Sequence, residues 1–123
     1  MSITGPDFIA LQVRDLDAAA AFYEEVVGLT RAPFSPPHAV VFDTRPTFAV
    51  RDPAPGVDLE AGPLGLGVAL WLHDPDAAAL HATLAAADVK ILQEPFEGPF
   101  GTTFVFQDRD GYAVTVHSRT TEG

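Results

Sequence analysis

Residues 104–112 read Phe104-Val105-Phe106-Gln107-Asp108-Arg109-Asp110-Gly111-Tyr112 and predict a β-hairpin near the end of the chain. The aromatic and β-branched residues before Asp108 favour a strand. Asp108-Arg109-Asp110-Gly111 then supplies the Asp and Gly that tight turns prefer, and Tyr112–His117 returns as the second strand. This hairpin is the last part of a pattern that occurs twice in the sequence.

The first occurrence of the pattern is a strand, a helix and three short strands. Phe8–Val13 is a short apolar strand, and Asp15 is the N-cap of a helix that runs to about Val27 and stops at Gly28. Three short strands are then expected, at about 30–34, 39–43 and 47–50.

The second occurrence begins after a segment rich in proline and glycine. Leu66–Leu72 is a strand, Asp74-Pro75-Asp76 starts a helix, and Val89–Leu92 is the next strand. A loop at Pro95–Gly101 leads into the terminal hairpin.

The repeat predicts an α+β fold, in which one domain (1–123) contains two βαβββ modules. The modules cover about 7–52 and about 66–118, and the linker between them covers about 53–65.

Composition excludes several classes of protein. The chain has 17 acidic and 7 basic residues, a net charge of -10, and no cysteine. Disulfides and thiolate metal sites are therefore excluded, and a nucleic-acid partner is not expected because its phosphates would be repelled. The acidity either favours a cationic ligand or serves only solubility. No signal peptide or membrane span is evident, so we expect a soluble, cytoplasmic protein with no membrane partner.

The repeated pattern resembles the vicinal oxygen chelate superfamily, which includes glyoxalase I, extradiol dioxygenases, fosfomycin-modifying enzymes and bleomycin-resistance proteins. The resemblance rests on Asp15, Phe22-Tyr23 and Gly28-Leu29 in the first module, and on Gly101 and the hairpin at 104–112 in the second. It implies that the two modules form a curved mixed sheet with a concave ligand cup. It also implies a homodimer, because these families cover exposed sheet edges by pairing chains.

Alternation along the strands predicts which side chains face the cup. The more apolar rows should pack under the helices, which leaves one row of each strand for the cup. The cup-facing residues of the first, fifth and last strands are then Phe8, Ala10, Gln12, Gly67, Ala69, Trp71, Ala113, Thr115 and His117.

The metal-dependent members of the resembled superfamily carry a His or Glu in the first, fourth, fifth and eighth strands. The matching positions in the first, fifth and eighth strands hold Phe8, Gly67 and Thr115, and the fourth strand, at about 47–50, has no carboxylate or imidazole. Because a divalent ion needs at least three good ligands, we predict no metal and no other cofactor.

Eight residues are predicted to contact a small-molecule ligand: Phe8, Gln12, Phe48, Trp71, Phe96, Phe100, Thr115 and His117. Trp71 is either a stacking platform for a planar ligand or a core residue. Glu94 and Glu97 lie beside Phe96 in the sequence, a mixture that suits a cationic ring, although solvated loop carboxylates are the simpler interpretation.

Three functions remain open. The first is a metal-free binding protein of the bleomycin-resistance type, which sequesters a small aromatic or cationic molecule for antibiotic resistance or self-protection. The second is an enzyme, either a glyoxalase- or dioxygenase-like metalloenzyme or a metal-free acid–base enzyme that uses His117. The third is a degenerate domain that only dimerises. No catalytic residue is assigned, because no second residue is clearly paired with His117.

Overall fold

A computed structural model describes residues 2–120. The chain divides into two compact units, and the boundary between Ala61 and Gly62 falls inside the segment predicted as the linker. Each unit contains a mixed sheet with a helix packed against it. The α+β class predicted from the sequence is confirmed.

The N-terminal unit has a three-stranded sheet with β3 in the centre. Its elements are β1 (Phe8–Gln12), α1 (Leu16–Ala21), a π-helical segment (Phe22–Val27), β2 (Ala39–Phe42) and β3 (Thr47–Arg51). Strand β3 pairs with β1 in parallel and with β2 in antiparallel orientation.

The first helix begins and ends where the sequence predicts. The Asp15 carboxylate accepts a hydrogen bond from the Ala18 N–H at 3.1 Å, as expected of an N-cap. Gly28 ends the helix in a left-handed conformation (φ 97°), and its N–H donates to the Tyr23 carbonyl at 3.1 Å. This five-residue spacing is the π-helical pattern, which replaces a regular α-helix from Phe22 onward.

The core of the N-terminal unit is aromatic. The Tyr23 side chain is 1 % exposed. Its ring lies 5.1 Å from the ring of Phe48 and 6.3 Å from that of Phe42, measured between centroids. The sheet row that contains Phe42 and Phe48 therefore packs against the helical segment.

The C-terminal unit repeats this topology with one more strand. Its elements are β4 (Leu70–His73), α2 (Ala77–Ala86), β5 (Ile91–Gly98), β6 (Gly101–Gln107) and β7 (Ala113–His117), in the sheet order β4-β7-β6-β5. In each unit the first strand lies parallel to the last, so the internal repeat is confirmed. No helix within residues 2–120 has both the length and the apolar composition required to cross a bilayer.

The terminal hairpin joins β6 and β7 as predicted. The Asp108 carboxylate accepts hydrogen bonds from three backbone N–H groups, those of Asp110, Gly111 and Tyr112, at 2.9 to 3.0 Å. The Asp108 N–H also donates to the Tyr112 carbonyl at 3.0 Å. One aspartate side chain therefore satisfies most of the turn's backbone donors.

Two predicted strands are shorter in the structure. The segment 30–34 forms a single bridge, Arg31 to Phe42, because Pro33 has no N–H with which to continue the ladder. Strand β4 begins at Leu70 rather than Leu66. Gly65 and Gly67 adopt φ values of 76° and 87°, which belong to turns and not to extended strands.

Strand β5 is longer than predicted. It extends to Gly98 and includes Pro95-Phe96-Glu97, for which the sequence predicts a loop. A proline is tolerated there because β5 is the edge strand of its sheet, and its register with β6 shifts between Gln93 and Phe96.

Candidate ligand-binding site

The C-terminal sheet has one buried face and one open face. Val114 and Val116 of β7 are 0 % exposed, whereas Thr115 between them is partly exposed. Trp71 of β4 lies beside Thr115 and is 46 % exposed. The alternation predicted for the last strand, and for the fifth strand from Leu70 onward, therefore agrees with the structure. Trp71, Thr115 and His117 share one row, in which His117 is buried. Gly67 and Ala69, which the sequence predicts to face the cup, precede β4 and are not part of a strand.

Three rings on this open face contact one another. The ring centroids of Trp71 and His117 are 5.4 Å apart, and those of Trp71 and Phe100 are 6.1 Å apart. The Phe100 and His117 rings are separated by 6.0 Å. All three pairs are edge-to-face, the arrangement that the aromatic quadrupole favours. We call Trp71, Phe100 and His117 the aromatic triad.

Phe100 reaches the triad because of the turn between β5 and β6. Gly98 pairs with Gly101, so Pro99-Phe100 is a two-residue hairpin loop. Gly101 has φ 85°, and a Cβ at this position would overlap the Ser118 hydroxyl. The Phe100 carbonyl also accepts the Arg119 N–H at 2.9 Å. A glycine at 101 is therefore needed to bring this loop against the end of β7.

His117 is held in one orientation. Its side chain is only 4 % exposed, and Nδ1 lies 2.7 Å from the Arg119 carbonyl. Because a carbonyl can only accept, Nδ1 carries the proton, and in the neutral ring Nε2 is the acceptor. His73 lies alongside, with its ring centroid 5.8 Å from that of His117, and its Nε2 donates to the Ser118 carbonyl at 3.2 Å.

Phe96 does not join the triad. It is 46 % exposed, pairs with Thr103 across the β5–β6 ladder, and its ring lies over Gly98. Among residues 2–120 it has no ring–ring contact. Its exposure agrees with the sequence argument, but the structure places it on an edge strand rather than in a loop.

The other predicted ligand residues lie in the N-terminal unit. Phe8 of β1 is 54 % exposed and lines a pocket of about 240 Å³ on the open face of the three-stranded sheet. Gln12 lies at the end of the same strand. Its side-chain oxygen accepts the Ala54 N–H at 2.7 Å, so this side chain also has a structural role.

Phe48 lies on the opposite face of the N-terminal sheet from Phe8. It is 3 % exposed and stacks with Phe42 at 5.9 Å between ring centroids. Successive side chains of β3 point to opposite faces of the sheet. Phe48 therefore faces the helical segment, whereas Ala49 and Arg51 face the open side. The expectation that Phe48 contacts ligand is therefore corrected: its side chain belongs to the core.

Glu94 and Glu97 are engaged within the protein. The Glu94 carboxylate lies 3.0 Å from Nε2 of His81, and the Glu97 carboxylate accepts the Thr102 hydroxyl at 2.6 Å. These contacts favour the simpler interpretation of the two residues, and they weaken the argument for a cationic ligand.

The positions of the expected metal ligands do not form a metal site. Phe8 and Gly67 offer no donor atom in their side chains, and Thr115 offers a neutral hydroxyl. Across residues 2–120, no three His, Asp or Glu side chains converge on one point. A divalent ion would lack the three nitrogen or oxygen ligands that it needs, so the donor set does not fit one.

Two residues near these surfaces are absent from the predicted ligand set. His73 lies two residues after Trp71, which puts it in the same row of β4. Arg51 ends β3 and lines the pocket beside Phe8. The sequence prediction ends these two strands at Val50 and Leu72. Had each strand been extended by one residue, the alternation of side chains would have placed Arg51 and His73 on the open faces.

Comparison with known proteins gives one family. Residues 5–116 match the model of the Glyoxalase/Bleomycin resistance protein/Dioxygenase superfamily. None of the curated proteins compared with this sequence matches it.

Solved structures share the fold at low sequence identity. TnmS3, an antibiotic binding protein from Streptomyces sp. CB03234, is 23% identical with a TM-score of 0.73, over 98% of this chain and 99% of TnmS3. A lactoylglutathione lyase from Agrobacterium tumefaciens is 23% identical with a TM-score of 0.65, over 95% of both chains. A glyoxalase-related enzyme from Fulvimarina pelagi is 23% identical with a TM-score of 0.72, over 94% of this chain and 88% of its own. These likenesses concern the fold, whereas the match over residues 5–116 concerns the family: the chain belongs to the glyoxalase/bleomycin resistance protein/dioxygenase superfamily.

Proposed function

We propose that this protein binds a small planar aromatic molecule at the aromatic triad and does so without a metal ion. The observation that carries the proposal is the exposure of Trp71. This residue is 46 % exposed although it lies in a strand and touches two other rings. Its indole offers apolar surface that a ligand would remove from water, which is the main source of affinity for apolar ligands.

The triad is suited to a flat ligand because its geometry is fixed before binding. His117 is held by the Arg119 carbonyl, and Phe100 is held by the two-residue turn next to Gly101. Ring positions that are already set reduce the ordering cost of binding.

Sequestration is supported over catalysis by the residues at the expected metal positions. Phe8, Gly67 and Thr115 do not form a metal-binding set, and within residues 2–120 no carboxylate hydrogen-bonds to His117. TnmS3, which shares the fold, is described as an antibiotic binding protein. Antibiotic resistance or self-protection is therefore the biological role that we propose.

The proposal includes pairing of two copies and a cytoplasmic place of action. Strands β1 and β4 lie at the edges of their sheets, and unpaired edges favour association with another chain. Leu66 and Val68, in the turn before β4, are 77 % and 80 % exposed. Such apolar exposure supports a protein–protein contact.

Flavone, a neutral planar aromatic, is a suitable first probe. Trp71 is the single tryptophan of the chain, so binding at the triad should quench the whole indole emission. In calorimetric titration, Trp71→Ala should weaken flavone binding by roughly 1–3 kcal/mol, the range for truncation of a well-packed contact residue. Leu92→Ala is the matched control, because Leu92 is 44 % exposed in the same unit but is not in the triad.

The same titration tests the metal-free part of the proposal. Affinity should be unchanged after extensive treatment with a chelator. Unchanged emission on addition of flavone, or equal affinities for Trp71→Ala and the wild type, would contradict binding at the triad. A loss of binding on chelation would contradict the metal-free mode.

A further inference from the structure

Arg51 is an unneutralised positive charge in the pocket of the N-terminal unit. The pocket, of about 240 Å³, lies on the open face of the three-stranded sheet. Its walls are mainly apolar, with Phe8 and Ala10 from β1, Ala49 from β3, and Pro36 and Pro37 from the loop before β2. Arg51 and His38 supply the polar groups, and none of the lining residues is acidic.

The other contacts of Arg51 leave most of its donors unused. Its Nε donates to the Asp52 carbonyl at 2.9 Å. Its two terminal nitrogens have no hydrogen-bond or ion-pair partner among residues 2–120. By contrast, Arg14 is ion-paired with Glu60, and Arg31 with Glu24 at 2.9 Å.

Arg51 differs in its burial from the other basic residues of 2–120 that have no carboxylate partner. It is partly buried, whereas Arg45, Lys90, Arg109 and Arg119 are exposed. Acidic residues outnumber basic ones by 17 to 7. The nearest acidic residue in sequence, Asp52, directs its carboxylate to Nδ1 of His38, at 3.0 Å. A guanidinium that is partly removed from water without a counter-charge is costly unless something else accepts its hydrogen bonds.

The rim of the pocket is fixed in place. His38 adopts a left-handed conformation (φ 66°), and its carbonyl accepts the Asp52 N–H at 2.9 Å. With the side-chain contact to the Asp52 carboxylate, two hydrogen bonds hold the loop at 36–38 against the end of β3. The apolar wall and Arg51 therefore face each other in a geometry that is set before any ligand arrives.

We propose that this pocket binds a small aromatic carboxylate, with the ring against Phe8 and Ala10 and the carboxylate on the terminal nitrogens of Arg51. The planar guanidinium matches a carboxylate through two parallel hydrogen bonds. The pocket volume lies below the roughly 300–1,000 Å³ of drug-sized sites, which suits a ligand of one or two rings. The inference stands on the N-terminal unit alone and does not depend on the ligand proposed for the aromatic triad.

The overall charge of -10 does not oppose this proposal at short range. At physiological ionic strength, charges separated by more than about 8 Å are largely screened. The direct contact with Arg51 is therefore the dominant electrostatic interaction for a carboxylate inside the pocket. A preference between a carboxylate and its neutral amide is then a better readout than absolute affinity.

The test compares 2-naphthoate with the isosteric neutral 2-naphthamide by amide-resolved NMR titration of the full chain. The carboxylate should bind at least about tenfold more tightly, as expected for a charge-assisted pair of hydrogen bonds. Both probes should shift the amide signals of Ala10 and Ala49. Arg51→Gln should abolish the preference, and Arg51→Lys should keep part of it. Ala10 is exposed, and the phenylalanine side chain of Ala10→Phe should fill the pocket. This variant should therefore weaken the binding of both probes.

Two controls distinguish this pocket from the aromatic triad and from a general effect of surface charge. Arg45→Gln removes the same charge from an exposed position of the same unit and should keep the preference. Trp71→Ala should keep it too. Equal affinity for the two probes, or loss of the preference in Arg45→Gln, would overturn the proposal. So would a preference that is lost in Trp71→Ala and kept in Arg51→Gln, since the anion would then bind at the triad.

Discussion

Trp71 and Phe104 are large aromatic residues of one sheet, and they lie on its two opposite faces. Phe104 is 0 % exposed and its ring lies 5.3 Å from that of His81 on α2, so it belongs to the side that packs against the helix. Trp71 is 46 % exposed on the other side. The difference in burial, rather than the residue type, separates a core aromatic from a candidate ligand contact.

This difference predicts the stabilities of two variants. Phe104→Ala should lower the free energy of unfolding by about 3–5 kcal/mol, the usual cost of truncating a buried aromatic. Trp71→Ala should cost clearly less, because about half of its surface is in water in the native state. Urea unfolding at 25 °C measures both. If Trp71→Ala were as destabilising as Phe104→Ala, Trp71 would be a core residue and the proposed ligand site would be lost.

Single residues also show where sequence reasoning succeeds. In β7 the rows differ in polarity, with Val114 and Val116 alternating with Thr115 and His117, so the open face could be predicted. In β3 both rows are apolar at Phe48, Ala49 and Val50, and alternation alone cannot say which one faces the helix.

Among the elements, the hairpin β6–β7 was the easiest to predict because its determinants are local. Asp108 and Gly111 form the turn through contacts within four residues of one another. Strand β5 was harder, since its extension past Pro95 depends on pairing with β6 and on its edge position. The triad and the pocket were only partly predictable for the same reason: each joins residues from separate strands and a loop.

The Asp108 turn gives a prediction at this scale. Asp108→Ala should lower the free energy of unfolding by about 1–3 kcal/mol, because three backbone N–H groups lose their acceptor. Asp108→Asn keeps an oxygen at this position and should cost less. Arg109→Ala, an exposed change in the same turn, is the control and should stay near the wild type in urea unfolding. Equal stability of Asp108→Ala and Arg109→Ala would show that the turn does not depend on the carboxylate.

For the whole molecule, the internal repeat explains why each unit of the 123-residue chain carries a sheet face that can be considered for ligand binding. Each unit packs one face of its sheet under a helix and leaves the other open. The duplicated topology then offers an apolar pocket with an arginine in one unit and an aromatic triad in the other. Different side chains on two copies of one scaffold are therefore the basis of the two ligands that we propose.

The exposed edges and apolar turn predict a homodimer. At micromolar concentration the wild-type protein should sediment with twice the mass of one chain, because pairing would bury Leu66 and Val68, which are 77 % and 80 % exposed. Val68→Asp places a charge in that contact and should shift the protein toward the monomer. Ala82→Asp adds the same charge at an exposed position of α2 and should remain dimeric. A wild-type protein that sediments as a single chain would contradict pairing. A dimer that Val68→Asp leaves intact would place the interface away from the turn, for example on the sheet edges formed by β1, β2, β4 and β5.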